Sequence, residues 1–247
     1  MDLGLAGRVY VVTGGTRGLG YAAAEALVAE DAQVVVSSRS ESNVTAAVAT
    51  LGANAAGVTG DNADTSLPDR LVTEAHARFG RLDGLLVSVG GPPTGTIEGT
   101  DLSVWQAAFD SIFLGTLALV RRVAGELSEG GAIALVLSTS VREPLPNLAV
   151  SNGLRPGLAM IAKTLAGEVG PRGIRVVSLL PGAFRTGRNA AMFQDPEAET
   201  RRTAGIPLRR IGEPAEFGRA AAFVLSPAAS YIHGTAISID GGSIHGL

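Results

Sequence analysis

The chain of 247 residues has no cysteine, which excludes disulfides, cysteine-ligated zinc, iron–sulfur clusters and a thiol nucleophile. Its three histidines, His76, His233 and His245, are widely separated, so a histidine metal site is not expected. Charged residues are scarce, 17% of the chain, and the 20 basic residues never run beyond two in a row. With a net charge of -3 there is no electrostatic footprint for a nucleic acid. Residues 1–13 lack a basic-then-apolar leader pattern, and no apolar run reaches the roughly 18 residues that cross a bilayer. The expectation is a soluble, cytoplasmic protein with neither nucleic acid nor membrane as a partner.

What is present is apolar. Hydrophobic residues make up 46% and mean hydropathy is +0.28, which excludes intrinsic disorder. The 33 glycines are spread along the chain and suit turns and tight packing. Short, continuously apolar runs recur at residues 8–13, 33–38, 82–89, 132–138, 174–180 and 235–239, with a weaker one at 55–59. Runs without polar alternation suit strands covered on both faces. Segments with helical spacing lie between them, at 19–30, 42–51, 67–79, 102–127, 150–169 and 214–225. Strand and helix in alternation predict an α/β fold, a single-domain, Rossmann-type, doubly wound parallel sheet of about seven strands with helices on both faces. No linker divides residues 1–247; the irregular stretch 184–213 fits a substrate lid.

The first strand runs into Thr13-Gly14-Gly15-Thr16-Arg17-Gly18-Leu19-Gly20 and then a helix. Glycines here let the backbone turn sharply and approach a pyrophosphate, while the helix N-terminus offers N–H groups to it. The spacing is neither GxGxxG nor that of a P-loop. It resembles the TGxxxGxG turn of the short-chain dehydrogenase/reductase family. Val87-Ser88-Val89-Gly90 stands where that family has NNAG, and Pro181-Gly182-Ala183-Phe184-Arg185-Thr186 is similar to its PGxxxT loop. The tail from Pro207-Leu208-Arg209-Arg210-Ile211-Gly212-Glu213-Pro214 to Asp240-Gly241-Gly242 resembles its 3-oxoacyl-carrier-protein-reductase-like branch.

The resemblance implies a nicotinamide cofactor on Gly14, Thr16, Arg17, Gly18, Leu19 and Gly20. It places Asp61 and Asn62 at the adenine, Gly90 beneath the ribose, and Pro181, Gly182 and Thr186 around the nicotinamide. An acidic residue about 20 positions past the glycines would accept the 2′-OH of NAD. Here the second strand ends in Ser37-Ser38-Arg39 instead. Arg39 with Arg17 suits a 2′-phosphate, so NADP(H) is preferred over NAD(H); two solvated surface arginines are the plain alternative.

Family chemistry relies on Asn, Ser and a Tyr-x-x-x-Lys pair, and here the pattern breaks. Aligning residues 162–166 with the similar helix puts Ser151 at the tyrosine position, Arg155 at the lysine position, Ser138 at the serine position and Ile112 at the asparagine position. Lys163 is the chain's one lysine, and none of Tyr10, Tyr21 and Tyr231 has a lysine four residues on. Serine is a far weaker acid than a phenol, and arginine does not shuttle protons. The reading is that Ser138, helped by Ser151 or a water it holds, orients a carbonyl while Arg155 stabilises developing charge. Ser140 is the alternative serine.

The expected activity is that of an atypical NADP(H)-dependent oxidoreductase acting on a small carbonyl or alcohol. Alternatives are an NADP(H)-binding protein without redox activity, and a lyase, isomerase or hydrolase on the same scaffold. By resemblance the long helices 102–127 and 150–169 build a homotetramer interface. Arg185, Arg188, Arg201, Arg202, Arg209 and Arg210 would favour an anionic substrate unless they are simply solvated.

Overall fold

A computed structural model describes residues 1–187 and 196–246. Seven strands, β1 (Val9–Thr13), β2 (Gln33–Ser38), β3 (Ala55–Thr59), β4 (Gly84–Ser88), β5 (Ala132–Val136), β6 (Arg175–Pro181) and β7 (Thr235–Ile239), form one parallel sheet ordered β3-β2-β1-β4-β5-β6-β7. Alternate side chains of each strand enter two different cores. Val9 and Val11 of β1 pack with α3 (Leu67–Phe79), α5 (Gly115–Glu126) and α6 (Ala149–Val169). Tyr10 and Val12 pack with α1 (Gly18–Ala29), α2 (Glu41–Leu51) and α8 (Pro214–Leu225). Burial on both faces explains why the strands read as unbroken apolar runs.

The expected helix 102–127 is not uniform. It opens as α4 (Leu102–Ala108), widens into a π-helical stretch at Phe109–Leu114 and continues as α5. In the widened part the Ser111 hydroxyl donates to the Ala107 carbonyl at 2.8 Å, and Phe109 stacks on Phe113 with centroids 5.0 Å apart. Widened turns of this kind concentrate at functional sites. The composite helix is long and apolar enough to cross a bilayer by composition alone, yet its Ile112, Leu119, Val120 and Val123 belong to the core beneath the sheet.

Between β6 and α8 lies α7 (Pro196–Ala204). Arg185 N–H donates to the Gly212 carbonyl at 2.8 Å and Gly212 N–H to the Ala183 carbonyl at 3.0 Å, so the base of the expected lid is pinned shut. Its residues 188–195, Arg188 included, lie outside the described residues.

Candidate functional site

The strand order reverses between β1 and β4, and the crevice outside the carboxyl ends of the strands there is the ligand position of doubly wound sheets. The glycine turn closes one side of it. Gly14 has φ +56°, and a Cβ there would run into the Ser88 carbonyl at the end of β4. The same junction is tied by the Ser88 N–H donating to Thr13 Oγ1 at 3.1 Å, and the Gly15 N–H reaches the Ser37 carbonyl of β2 at 3.2 Å. Arg17 takes the N-cap position of α1 with extended backbone, but no side chain caps that end and its first turn holds no acidic residue. In α2, by contrast, Ser40 accepts the Asn43 N–H. The N–H groups and positive end of α1 are therefore open to an anion.

Thr16, Gly18, Leu19 and Gly20 complete the turn, with Gly20 buried against Gly14. Thr186 closes over it, its methyl 3.8 Å from where a Cβ on Gly18 would stand. Pro181 ends β6, and the Gly182 N–H donates to Ile239 of β7 at 3.0 Å. Gly90, after β4, is exposed, and a Cβ placed on it meets no atom within 4 Å. That open position, with the uncapped helix end, fits a dinucleotide lying across the strand ends.

At the far end, the Ser38 hydroxyl donates to the Ser40 carbonyl at 3.2 Å. Arg39 is 76% exposed in its side chain, and its guanidinium stands 3.8 Å from the Asp61 carboxylate. Asp61 also accepts the Ala63 N–H at 3.0 Å, and the Asn62 backbone lies against Gly115 of α5. The cofactor residues expected from the sequence thus all fall at, or just past, the carboxyl ends of β1, β2, β3, β4 and β6.

The chemistry-bearing residues gather at the end of β5. Ser138 is partly exposed and N-caps the short turn Thr139–Val141, its Oγ accepting the Ser140 N–H at 3.1 Å. That bond uses a lone pair and leaves the hydroxyl hydrogen to be donated. Ser151, on α6, meets Ser140 rather than Ser138: the two hydroxyl oxygens are 3.2 Å apart and both residues are buried. Arg155, one turn on and 4% exposed, donates from Nη1 to the Val136 carbonyl at 2.7 Å and from Nη2 to the Val89 carbonyl at 3.2 Å. Ile112 sits in the π-helical stretch but packs into the core at 3% exposure. Sequence reasoning ranked Ser140 below Ser138 and passed over Asn152, whose side-chain amide clamps both backbone groups of Leu145 at 3.1 and 2.9 Å. The signal for Asn152 was its place in the first turn of α6, just after an irregular stretch whose backbone an amide side chain can partner.

The three phenols do not reach the Ser138 site. Tyr10 is fully buried on the α8 side of β1 with its hydroxyl on the Leu225 carbonyl at 3.3 Å, and burial pushes its pKa up to about 12. Tyr21 shares a shallow cleft with Thr16, Arg17 and Asn43 on the α2 side of the glycine turn, and its pKa is raised, first by burial and then by Glu25. Tyr231 is fully exposed.

Among the described residues, four of the arginines of the expected lid are engaged. Arg185 pairs with Glu199 at 2.5 Å and Glu213 at 3.2 Å, Arg201 with Glu197 at 3.4 Å and Arg210 with Glu216 at 2.6 Å. Arg209 donates to the Ala204 carbonyl, while Arg202 is exposed. These charges bind the segment to itself, so the reading in which they select an anionic substrate draws no support from them. Among the described residues no three His, Asp or Glu side chains come together as metal ligands.

Comparison with known proteins agrees with this geometry. A family model described as enoyl-(acyl carrier protein) reductase matches residues 14–243. The human dehydrogenase/reductase SDR family member 4 is 34% identical over 245 residues, covering 97% of this chain and 88% of that protein. The 3beta-hydroxysteroid dehydrogenase 1 of Eggerthella lenta is also 34% identical, covering 96% of this chain and 94% of its own. Among solved structures, the L-sorbose reductase of Gluconobacter frateurii in complex with NADPH and L-sorbose superposes with TM-score 0.92 at 27% identity over all of both chains.

Proposed function

The chain belongs to the short-chain dehydrogenase/reductase family of oxidoreductases, and from that premise we propose that it is an atypical, NADP(H)-dependent member acting on a small carbonyl or alcohol. The observation that carries the reading is the cradle at the β1–β4 switch: an uncapped α1 N-terminus, a glycine turn pressed on β4, and open space above Gly90. Arg39 at the end of β2, where a carboxylate would select NAD, favours the phosphorylated cofactor. Support comes from L-sorbose reductase, solved with NADPH, and from YwfH, an NADPH dependent reductase of similar fold with TM-score 0.88 and 25% identity.

The glycine turn and the α1 N-terminus would hold a nicotinamide cofactor, which would supply or accept the hydride. The protein's part is to place the substrate oxygen and stabilise its charge. Ser138 does so with the hydroxyl hydrogen that its bond to Ser140 N–H leaves over. Ser151, held by Ser140, keeps a second hydroxyl near the site, and a water beside Ser138 would complete proton transfer. Arg155 contributes a fixed positive charge behind the strand ends. The protein is further proposed to form a homo-oligomer, with a tetramer favoured, through the exposed apolar side chains Leu102, Phe109, Leu114 and Met160 of the long helices.

The test is oxidation of NADPH and NADH by the purified protein against a panel of carbonyls, run beside Ser138→Ala, with fluorescence titration of both cofactors. NADPH-dependent turnover that falls at least about tenfold in the variant, the cost of one lost charge-stabilising donor, is expected. Cofactor binding with no turnover across the panel overturns the redox reading in favour of a cofactor-binding protein without redox chemistry.

A further inference from the structure

β4 and β5 run in register up to Ser88 opposite Val136 and then separate. Past that rung, the Leu137 N–H turns to the Leu179 carbonyl of β6, and β4 leads into Val89 and Gly90. The two diverging ends carry the groups that matter to the site: Gly90 one residue past Val89, and Ser138 two residues past Val136. Across the gap lies the Arg155 guanidinium, with one terminal nitrogen on the Val136 carbonyl at 2.7 Å and the other on the Val89 carbonyl at 3.2 Å.

We propose that Arg155 is a positioning residue, a buried strap that replaces the missing rung of the β4–β5 ladder and so fixes Ser138 relative to Gly90. Planarity is what suits arginine to this. Two nitrogens held at fixed separation grip two carbonyls on different strands, whereas a lysine ammonium is a single point on a flexible stem. Burial strengthens the grip, since charged hydrogen bonds in a low-dielectric setting are the strong ones. Pro156, next in α6, has no N–H of its own to give Asn152, so the helix is locally short of one bond where the strap emerges. The strap rests on the site reading only in naming what it positions; its mechanical content is independent of any turnover.

Hydrogen exchange followed by mass spectrometry tests it, without substrate, on wild type, Arg155→Lys, Arg155→Met and Arg155→Ala. The amides to watch are those of Ser88, at the end of β4 and donating to Thr13 of β1, and of Ser140 and Val141, which donate to Ser138 just past β5. Expected is exchange faster by roughly tenfold or more at those amides in Lys and Met alike, as loss of charged hydrogen bonds implies, with distant α2 and α8 unchanged. In Arg155→Ala, a few millimolar guanidinium chloride restores both the protection and NADPH affinity measured by fluorescence. If Arg155→Lys is as protected as wild type, or no variant changes exchange at these amides, the strap is refuted. Should Ala fail to fold, Lys and Met still decide it. Absence of turnover on every carbonyl would leave the exchange result standing and count only against the redox reading.

Discussion

On the proposed reading cofactor choice would turn on Arg39, whose worth follows from what its side chain does without the cofactor. It stands 3.8 Å from Asp61, with the two side chains 76% and 43% exposed, an ion pair of less than about 1 kcal/mol that is easily given up. A guanidinium on a phosphate is a charge-assisted bond of about 1.5–3 kcal/mol, and this exposure puts it at the low end. Subtracting the pair, Arg39→Ala should weaken NADPH by about 0.5–1.5 kcal/mol, or roughly two- to thirteenfold in Kd. NADH, without the phosphate, should change less than about twofold on the same reasoning. Arg39→Asp should go further and reverse the preference, since a carboxylate repels the phosphate and accepts the 2′-OH. Fluorescence titration of both cofactors at low and high salt is the assay, and the NADPH loss should shrink as salt screens the exposed charge. A Kd ratio for NADPH over NADH that stays put in both variants would refute the assignment, and with it the case for NADP(H).

Two glycines at the cradle should fail in opposite ways. Gly14→Ala forces a side chain into φ +56° and against the Ser88 carbonyl, costing about 2–4 kcal/mol of stability and lowering the thermal midpoint even without cofactor. Gly90→Ala meets nothing in the protein, so its thermal midpoint should match wild type while NADPH affinity falls; equal affinity would mean that no ligand lies over Gly90. Tyr10 predicts an alkaline effect: its phenol, normally near 10, is held to about 12 by burial, so the folded state keeps a proton that the unfolded chain has lost. Its stabilising share is complete below pH 10 and disappears towards 12, about 2–3 kcal/mol in all. Urea midpoints of wild type and Tyr10→Phe should converge over that window, and parallel curves would contradict it.

The architecture was legible because burial on both faces writes each strand as an uninterrupted apolar run. β7 at 235–239, α3 at 67–79 and α8 at 214–225 fall where their runs and proline starts put them. The edges of β4 were overread, since Leu82 and Val89 extend the apolar pattern past a strand that spans only Gly84–Ser88. The π-helical stretch at 109–114 was not legible: its apolar positions continue those of α4 and α5, and one extra residue in a turn leaves no compositional mark. The glycine turn between β1 and α1 could be read because it is made of backbone, and glycine spacing reports backbone directly. Site side chains could not, because their directions depend on packing: nothing in Ser138-Thr139-Ser140 says that the first faces the cleft and the third turns inward to Ser151.

That difference bears on the proposed reading, in which the cofactor half of the site would keep its family form while the catalytic half changes. A backbone cradle tolerates few substitutions, for any Cβ at Gly14 collides with β4. The α6 face is made of side chains, and there two shorter or differently shaped groups have been absorbed into the fold, Ser151 onto Ser140 and Arg155 onto the carbonyls of two strands. Both act from behind the surface on which Ser138 remains partly exposed. On the proposed reading, the proton that reaches an alkoxide in this site would pass through the Ser138 hydroxyl or a water beside it. Since neither group has a phenol's pKa near 10, the pH–rate profile should lack the ionisation a catalytic tyrosine imposes.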